Sequence, residues 1–123
     1  MPWTYEQSTG QLRRPDGVLF HVGYSGLDWA KNQPVLQHIE DMGPIPRGRW
    51  VMVRWETGHR ASPSGVIRLE PQSATQQVFD RGGFLIHGDD SEGRASQGCI
   101  IVSPLSKRRQ IWDNGDRFLD VVQ

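Results

Sequence analysis

The chain has only one cysteine among its 123 residues. That excludes an internal disulfide and any zinc site built on paired cysteines. Net charge is also absent, because 14 Lys+Arg face 14 Asp+Glu and the pI lies near 6.9. Such a balanced composition lacks the basic footprint that phosphate backbones require, so nucleic acid is not an expected partner. Apolar runs end after a few residues, far short of the ~20 that cross a bilayer, and no membrane insertion is expected. Residues 1–17 contain no apolar core of the kind a signal peptide needs. No conventional export signal is expected there, and composition is silent on where the protein acts.

What the chain has in quantity is punctuation. Its 14 glycines and 8 prolines separate short β-prone runs, the pattern of a mostly-β domain with little room for long helices. A chain of this size buries roughly two-thirds of its unfolded surface, enough for one core without cross-links. Residues 1–123 therefore read as a single domain. Residues 3–7 and 11–13 form a predicted hairpin, and 18–24 a strand that leads into a loop running to about Pro34. Residues 35–39 fit either a strand or a helical turn. The run Gly43-Pro44-Ile45-Pro46-Arg47-Gly48 predicts a rigid loop entering a strand at 49–56, which is apolar on nearly both faces and so suits a central position. Residues 57–65 read as an exposed polar loop, and 66–69, 83–87 and 118–122 as further strands. Ser103-Pro104 and Asn114-Gly115 bracket one helix as N-cap, first-turn proline and stop. Its buried side is predicted as Leu105, Ile111 and Trp112, with Lys107, Arg108 and Arg109 directed outward or toward the helix C-terminus.

Chemistry concentrates in two segments, Phe84-Leu85-Ile86-His87-Gly88-Asp89-Asp90 and Ser96-Gln97-Gly98-Cys99-Ile100-Ile101-Val102. Acyl transfer needs a nucleophile, a base, and donors for the developing oxyanion. A free thiol of pKa ~8.5 is only about 3% ionised at pH 7. An imidazole that stabilises the thiolate as an ion pair therefore raises the reactive species by more than an order of magnitude. Gly98 allows a sharp turn that would aim the Gly98 and Cys99 amides at a carbonyl oxygen. The residues alone leave other readings open. A lone cysteine beside Ile100 and Ile101 is commonly a small buried hydrophobe, and His87 has an ordinary structural reading. His87, Asp89, Asp90 and Cys99 offer metal ligands but lack the second Cys or His of a structural zinc site, so no metal is expected. Gly23-Tyr24-Ser25-Gly26 is followed by Leu27, so it is not a serine nucleophile elbow.

The two segments resemble the signature of the L,D-transpeptidase (YkuD-like) catalytic domain, in which a His-Gly strand end precedes a Ser/Thr-x-Gly-Cys-Ile/Val segment. Gly23-Tyr24-Ser25-Gly26, Asn32, Gly43 to Gly48, Arg81 with Gly83 to Asp89, and Ser96 to Ile100 follow in the same order. Taken together they are similar to the compact L,D-transpeptidase-like toxins of bacterial type VI secretion. Gln97 stands where a second histidine is usual, and Ile101 where arginine or asparagine commonly follows.

The resemblance implies a mostly-β fold, sandwich or barrel-like, with one short C-terminal helix and no cofactor. It implies a peptidoglycan stem tetrapeptide as acyl donor, with Cys99 attacking the carbonyl of the third residue. His87 would protonate the departing D-alanine and then deprotonate the acceptor. With water as acceptor the enzyme is an L,D-carboxypeptidase; a D-amino acid gives exchange and a second stem peptide a cross-link. Gly98, Gln97, Gly88 and Ser96 would shape the oxyanion site or orient the pair, the Gly88 carbonyl acting on His87. Arg81, Tyr24, Ser25 and Asp89 would bind substrate, the planar fork of Arg81 suiting a carboxylate. The implied partners are peptidoglycan, a secretion apparatus and a cognate immunity protein, with action in the periplasm of a target bacterium. A non-catalytic peptidoglycan-binding module and a conventional cysteine peptidase are the competing readings.

Overall fold

The computed structural model describes residues 2–123. Among them, nine strands form one sheet: β1 Trp3–Glu6, β2 Gln11–Arg13, β3 Leu19–Val22, β4 Tyr24–Ser25, β5 Gly48–Glu56, β6 Val66–Pro71, β7 Leu85–His87, β8 Ile100–Ile101 and β9 Phe118–Val122. Their spatial order is β3-β2-β1-β9-β5-β6-β7-β8-β4. The two ends of that order, β3 and β4, are consecutive in the chain with only Gly23 between them. The sheet therefore curls until its edges nearly meet, which removes most of the unpaired edge a flat sheet would expose. The result is the mostly-β, barrel-like fold expected from the sequence, with one helix near the C-terminus, α1 Leu105–Asn114.

Gly23 is required by this closure. A Cβ there would stand 1.8 Å from the Ile101 carbonyl oxygen, while its own amide donates to the Gly10 carbonyl at 2.9 Å. No side chain fits so close an approach of two backbones.

Alternate strand residues fill the interior: Trp3 and Tyr5 of β1, Trp50 and Met52 of β5, Ile67 and Leu69 of β6, and Leu119 and Val121 of β9 are all buried. Strand β5 is central, between β9 and β6, as its composition predicts. Only one of its faces is dry, however, and Val53 on the other is exposed. A curled sheet has one interior, whereas an apolar run on both faces anticipates two. The ambiguous segment at 35–39 resolves into a 3-10 turn, Pro34–Leu36, with proline at its start.

The helix also departs from expectation. Pro104 is its N-cap, one position later than Ser103-Pro104 suggests, and Gly115 ends it in the left-handed conformation at φ 88°. Leu105 is exposed, and Arg108 is turned inward rather than outward. The Arg108 guanidinium donates to the carbonyls of Gly65, Val102 and Ser103 at 2.7–3.0 Å. Carbonyls just beyond short strand ends have no ladder partner, and a buried guanidinium satisfies them.

Candidate active site

Strands β7 and β8 are parallel, with Ile86 paired to Ile100 and His87 to Ile101. Ile86 and Ile100 point into the core. Side chains alternate along a strand, so His87 and Cys99, the latter one residue before β8, share the opposite face. Both line one cavity of about 590 Å³.

The Cys99 thiol sits 3.7 Å from the Gly83 carbonyl, to which it donates, and it receives the Leu85 amide. Burial pushes this thiol up from 9.0 to about 11, against weaker pulls from the Arg68 and Arg81 charges. His87 is buried, unlike the half-buried Cys99, and burial holds it below its ordinary 6.5 despite the opposing effect of the Gly88 carbonyl. Its Nδ1 lies 2.7 Å from that carbonyl oxygen. A carbonyl only accepts, so the hydrogen is on Nδ1 and Nε2 is left as the basic nitrogen. Both shifts favour neutral partners. They run against the thiolate–imidazolium pair anticipated from the sequence, since burial penalises the charged form of each group.

This arrangement makes a prediction about thiol reactivity. With a pKa of about 11, only about one Cys99 in ten thousand is thiolate at pH 7. Alkylation by iodoacetamide should therefore be slow at neutral pH and should rise about tenfold per pH unit between pH 8 and 10. A fast rate that is flat from pH 6 to 8 would show a thiolate–imidazolium pair instead.

Four residues expected to touch substrate are placed elsewhere. Arg81 is 8% exposed, and its guanidinium donates to the carbonyls of Gln37, Gly43, Pro44 and Gln97. It ties loops together and has no face toward the cavity. Ser25 is fully buried; its hydroxyl donates to the Gly98 carbonyl at 3.0 Å and accepts the Ile45 amide at 2.9 Å. The Tyr24 hydroxyl donates to Asp89 and accepts the Ala95 amide at 3.2 Å. Neither Tyr24 nor Asp89 lines the cavity. The Asp89 carboxylate also accepts the Asp90 amide at 2.9 Å, so it serves a turn.

Among the orienting positions, Ser96 anchors the loop before Cys99. Its hydroxyl donates to the Cys99 carbonyl at 2.6 Å and accepts the amides of Gly26 at 2.9 Å and Gly98 at 3.2 Å. The Gly98 amide is thus committed to Ser96 rather than aimed at an oxyanion. Gly98 itself adopts φ +131°, and a Cβ there would stand 2.4 Å from Arg81 Nη2. Gln97 is exposed and lines the cavity.

The sequence reading missed the opposite wall. The loop at 57–65 brings His59, Arg60 and Ala61 to the cavity, and β6 brings Arg68. From the same loop, buried Ser62 accepts the Gly88 amide on its hydroxyl at 2.7 Å. A Cβ on Gly88 would stand 2.9 Å from Arg108 Nη1 and 3.0 Å from Ser62 Oγ. Gly88, whose carbonyl orients His87, is therefore held from two sides by residues distant in the chain. A polar loop looks the same in sequence whether it covers a cleft or faces water, and nothing in residues 57–65 signalled this one.

Among the described residues, no three or more of His, Cys, Asp and Glu converge as a metal site would require. A second concavity, about 480 Å³, lies between Trp3, Phe20, Arg14 and the Gln110 and Asp113 side of α1. It holds no thiol and no imidazole.

Fold and cavity together define a class: a small mostly-β domain carrying a thiol and an oriented imidazole in one cleft. The family model of the Tlde1 domain matches residues 20–122. The chain belongs to that family, whose members are type VI secretion effectors of the L,D-transpeptidase kind. No curated protein matches the chain.

Proposed function

We propose that the protein is a cysteine-dependent L,D-transpeptidase or L,D-carboxypeptidase that acts on peptidoglycan stem tetrapeptides through a Cys99 acyl-enzyme. The observation that carries this reading is Cys99 and His87 in one cavity, with His87 Nδ1 engaged by the Gly88 carbonyl. Membership of the effector family supplies the peptidoglycan substrate in general terms.

As the Cys99 sulfur attacks the carbonyl carbon of the third stem residue, its proton passes to His87 Nε2. Collapse of the tetrahedral intermediate breaks the C–N bond to D-alanine, whose nitrogen takes that proton from His87. The product is a thioester on Cys99 and a neutral imidazole. An acceptor, water or an amine, then gives a proton to His87 and attacks the thioester carbonyl. Cys99 leaves as sulfur and recovers the proton. Starting from neutral partners, each half-reaction returns the site to the neutral state that its burial favours.

Incubation of the pure protein with defined muropeptides, followed by mass spectrometry, tests this directly. Loss of D-alanine from tetrapeptides, exchange with an added D-amino acid, or formation of dimers is expected; unaltered masses under all three conditions would refute the proposal. Action in the periplasm of a target bacterium makes a second prediction. Expression in the cytosol should be tolerated, and the same chain behind an added export signal should lyse cells or change their shape. Equal toxicity from both forms, retained in Cys99→Ala, would exclude a cell-wall target. A cognate immunity protein that covers the Cys99 cavity follows from the same reading, since a cell that makes such an enzyme also carries its substrate.

A further inference from the structure

Arg68 lines the cavity and has no role in the mechanism above. It pairs across the sheet with Leu85, and the Leu85 amide donates to the Cys99 sulfur. Cross-strand partners share a face, so Arg68, Leu85 and Cys99 form a row across three adjacent segments, all lining the cavity. Two strand spacings, ~10 Å, separate the ends of that row. The Arg68 side chain leans toward Glu56 of β5, yet it lines the same cavity as the sulfur and its charge acts on the thiol, so the space between them can take one substrate residue, ~3.5 Å of extended chain.

The Arg68 guanidinium is held in place before any ligand arrives. Its Nε and Nη2 donate to Glu56 at 2.8 and 3.2 Å, which leaves Nη1 without a partner in that pair. Arg54 donates to the same Glu56 oxygen at 2.8 Å, so two arginines share one carboxylate and the group keeps a net positive charge. The two guanidinium groups keep Glu56 ionised by holding its carboxyl far below the usual range, at about 2. The other arginine near the thiol, Arg81, has its donors occupied by carbonyls. Arg60 also lines the cavity but is exposed on a loop. Asp41 is the one carboxylate in the wall.

We infer that Arg68 recognises the free α-carboxylate of the residue that leaves, and so restricts the enzyme to peptides cut one residue from their C-terminus. The inference rests on the stem-peptide reading. A carboxylate one residue beyond the attacked carbonyl is the anion nearest the sulfur in such a substrate, and a pre-positioned guanidinium is its natural partner. An internal peptide bond, or a capped end, would leave the Arg68 charge facing a neutral amide.

The experiment compares two stem tetrapeptides that differ only at the last residue, one with a free carboxylate and one with a carboxamide. The parent should prefer the acid by about ten- to hundredfold in kcat/KM, as expected for loss of a charge-assisted hydrogen bond. In Arg68→Gln the acid-to-amide ratio should fall toward one. In Arg68→Lys, which keeps the charge and loses the fork, it should be intermediate, and Arg60→Gln should keep the parent ratio. Equal use of both peptides by the parent, or a preference abolished by Arg60→Gln and kept by Arg68→Gln, would overturn the assignment while leaving the stem-peptide reading intact. If Arg68→Gln melts well below the parent, Arg68→Lys decides, and a parental ratio there overturns the fork-specific role. Turnover of neither peptide by the parent would remove the stem-peptide reading and this inference with it.

Discussion

Cys99→Ala and His87→Ala are each expected to lower D-alanine release by roughly a thousandfold or more, with the double variant scarcely worse than either single one. The reason is that thiol and imidazole act as one unit: the sulfur has no base without His87, and the base has no nucleophile without Cys99. Non-additivity is therefore the diagnostic result, because two independent contributors would multiply. Cys99→Ala removes one atom from a half-buried site and should melt close to the parent. His87→Ala removes a buried partner of the Gly88 carbonyl and should cost about 1–3 kcal/mol of stability. Purification at low temperature and a melting curve separate that loss from the loss of chemistry. Full turnover in a Cys99→Ala protein that melts like the parent would eliminate the thiol mechanism.

The kinetics carry a sign as well. The proposed base is neutral imidazole, so kcat/KM should rise with pH as His87 loses its proton. Since burial holds His87 below 6.5, the midpoint of that rise should lie below pH 6.5. On the alkaline side, activity should hold until the thiol itself ionises at about 11, well above the range of a free thiol.

Gly23→Ala should have the largest effect on stability, about 3 kcal/mol or more. The added methyl would meet the Ile101 carbonyl at 1.8 Å, and both sides of that contact are backbone. No rotamer relieves it; β8 or the β3–β4 crossing must shift. Because Ile101 pairs with His87 and lies two residues from Cys99, the shift should reach the site. Denaturant unfolding measures the first effect and turnover the second. Gly82→Ala is the control for stability, since a Cβ there meets nothing within 4 Å. Equal midpoints for Gly23→Ala and the parent would mean that the sheet does not close at this point.

The strands were largely legible because glycine and proline mark their ends and β-prone runs lie between. Cys99 and His87 were legible as a pair through the resemblance of their two segments to a known signature, whereas the parallel register of β7 and β8 that puts them on one face was not. Buried arginines were not. Arg81 suggests a ligand and Arg108 a solvated helix face, yet both are consumed by carbonyls of loops and strand ends. Composition records that a guanidinium exists and not which carbonyls the fold leaves without partners. Arg68 was hidden for a related reason, since its place opposite Leu85 depends on a strand register that no local pattern encodes.

Arg81 has a consequence for how this chain can vary. The groups it contacts at Gln37, Gly43, Pro44 and Gln97 are all main-chain carbonyls, which every amino acid possesses. The strut thus places no demand of its own on which side chains stand at those four positions. It constrains one arginine and the lengths of the segments that reach it. Except at Gly43 and Gly98, where a Cβ would meet Leu36 O and Arg81 Nη2, drift in those loops can then proceed by substitution while insertions and deletions are disfavoured, so the surface around the cleft can diversify without disturbing the frame that holds the thiol.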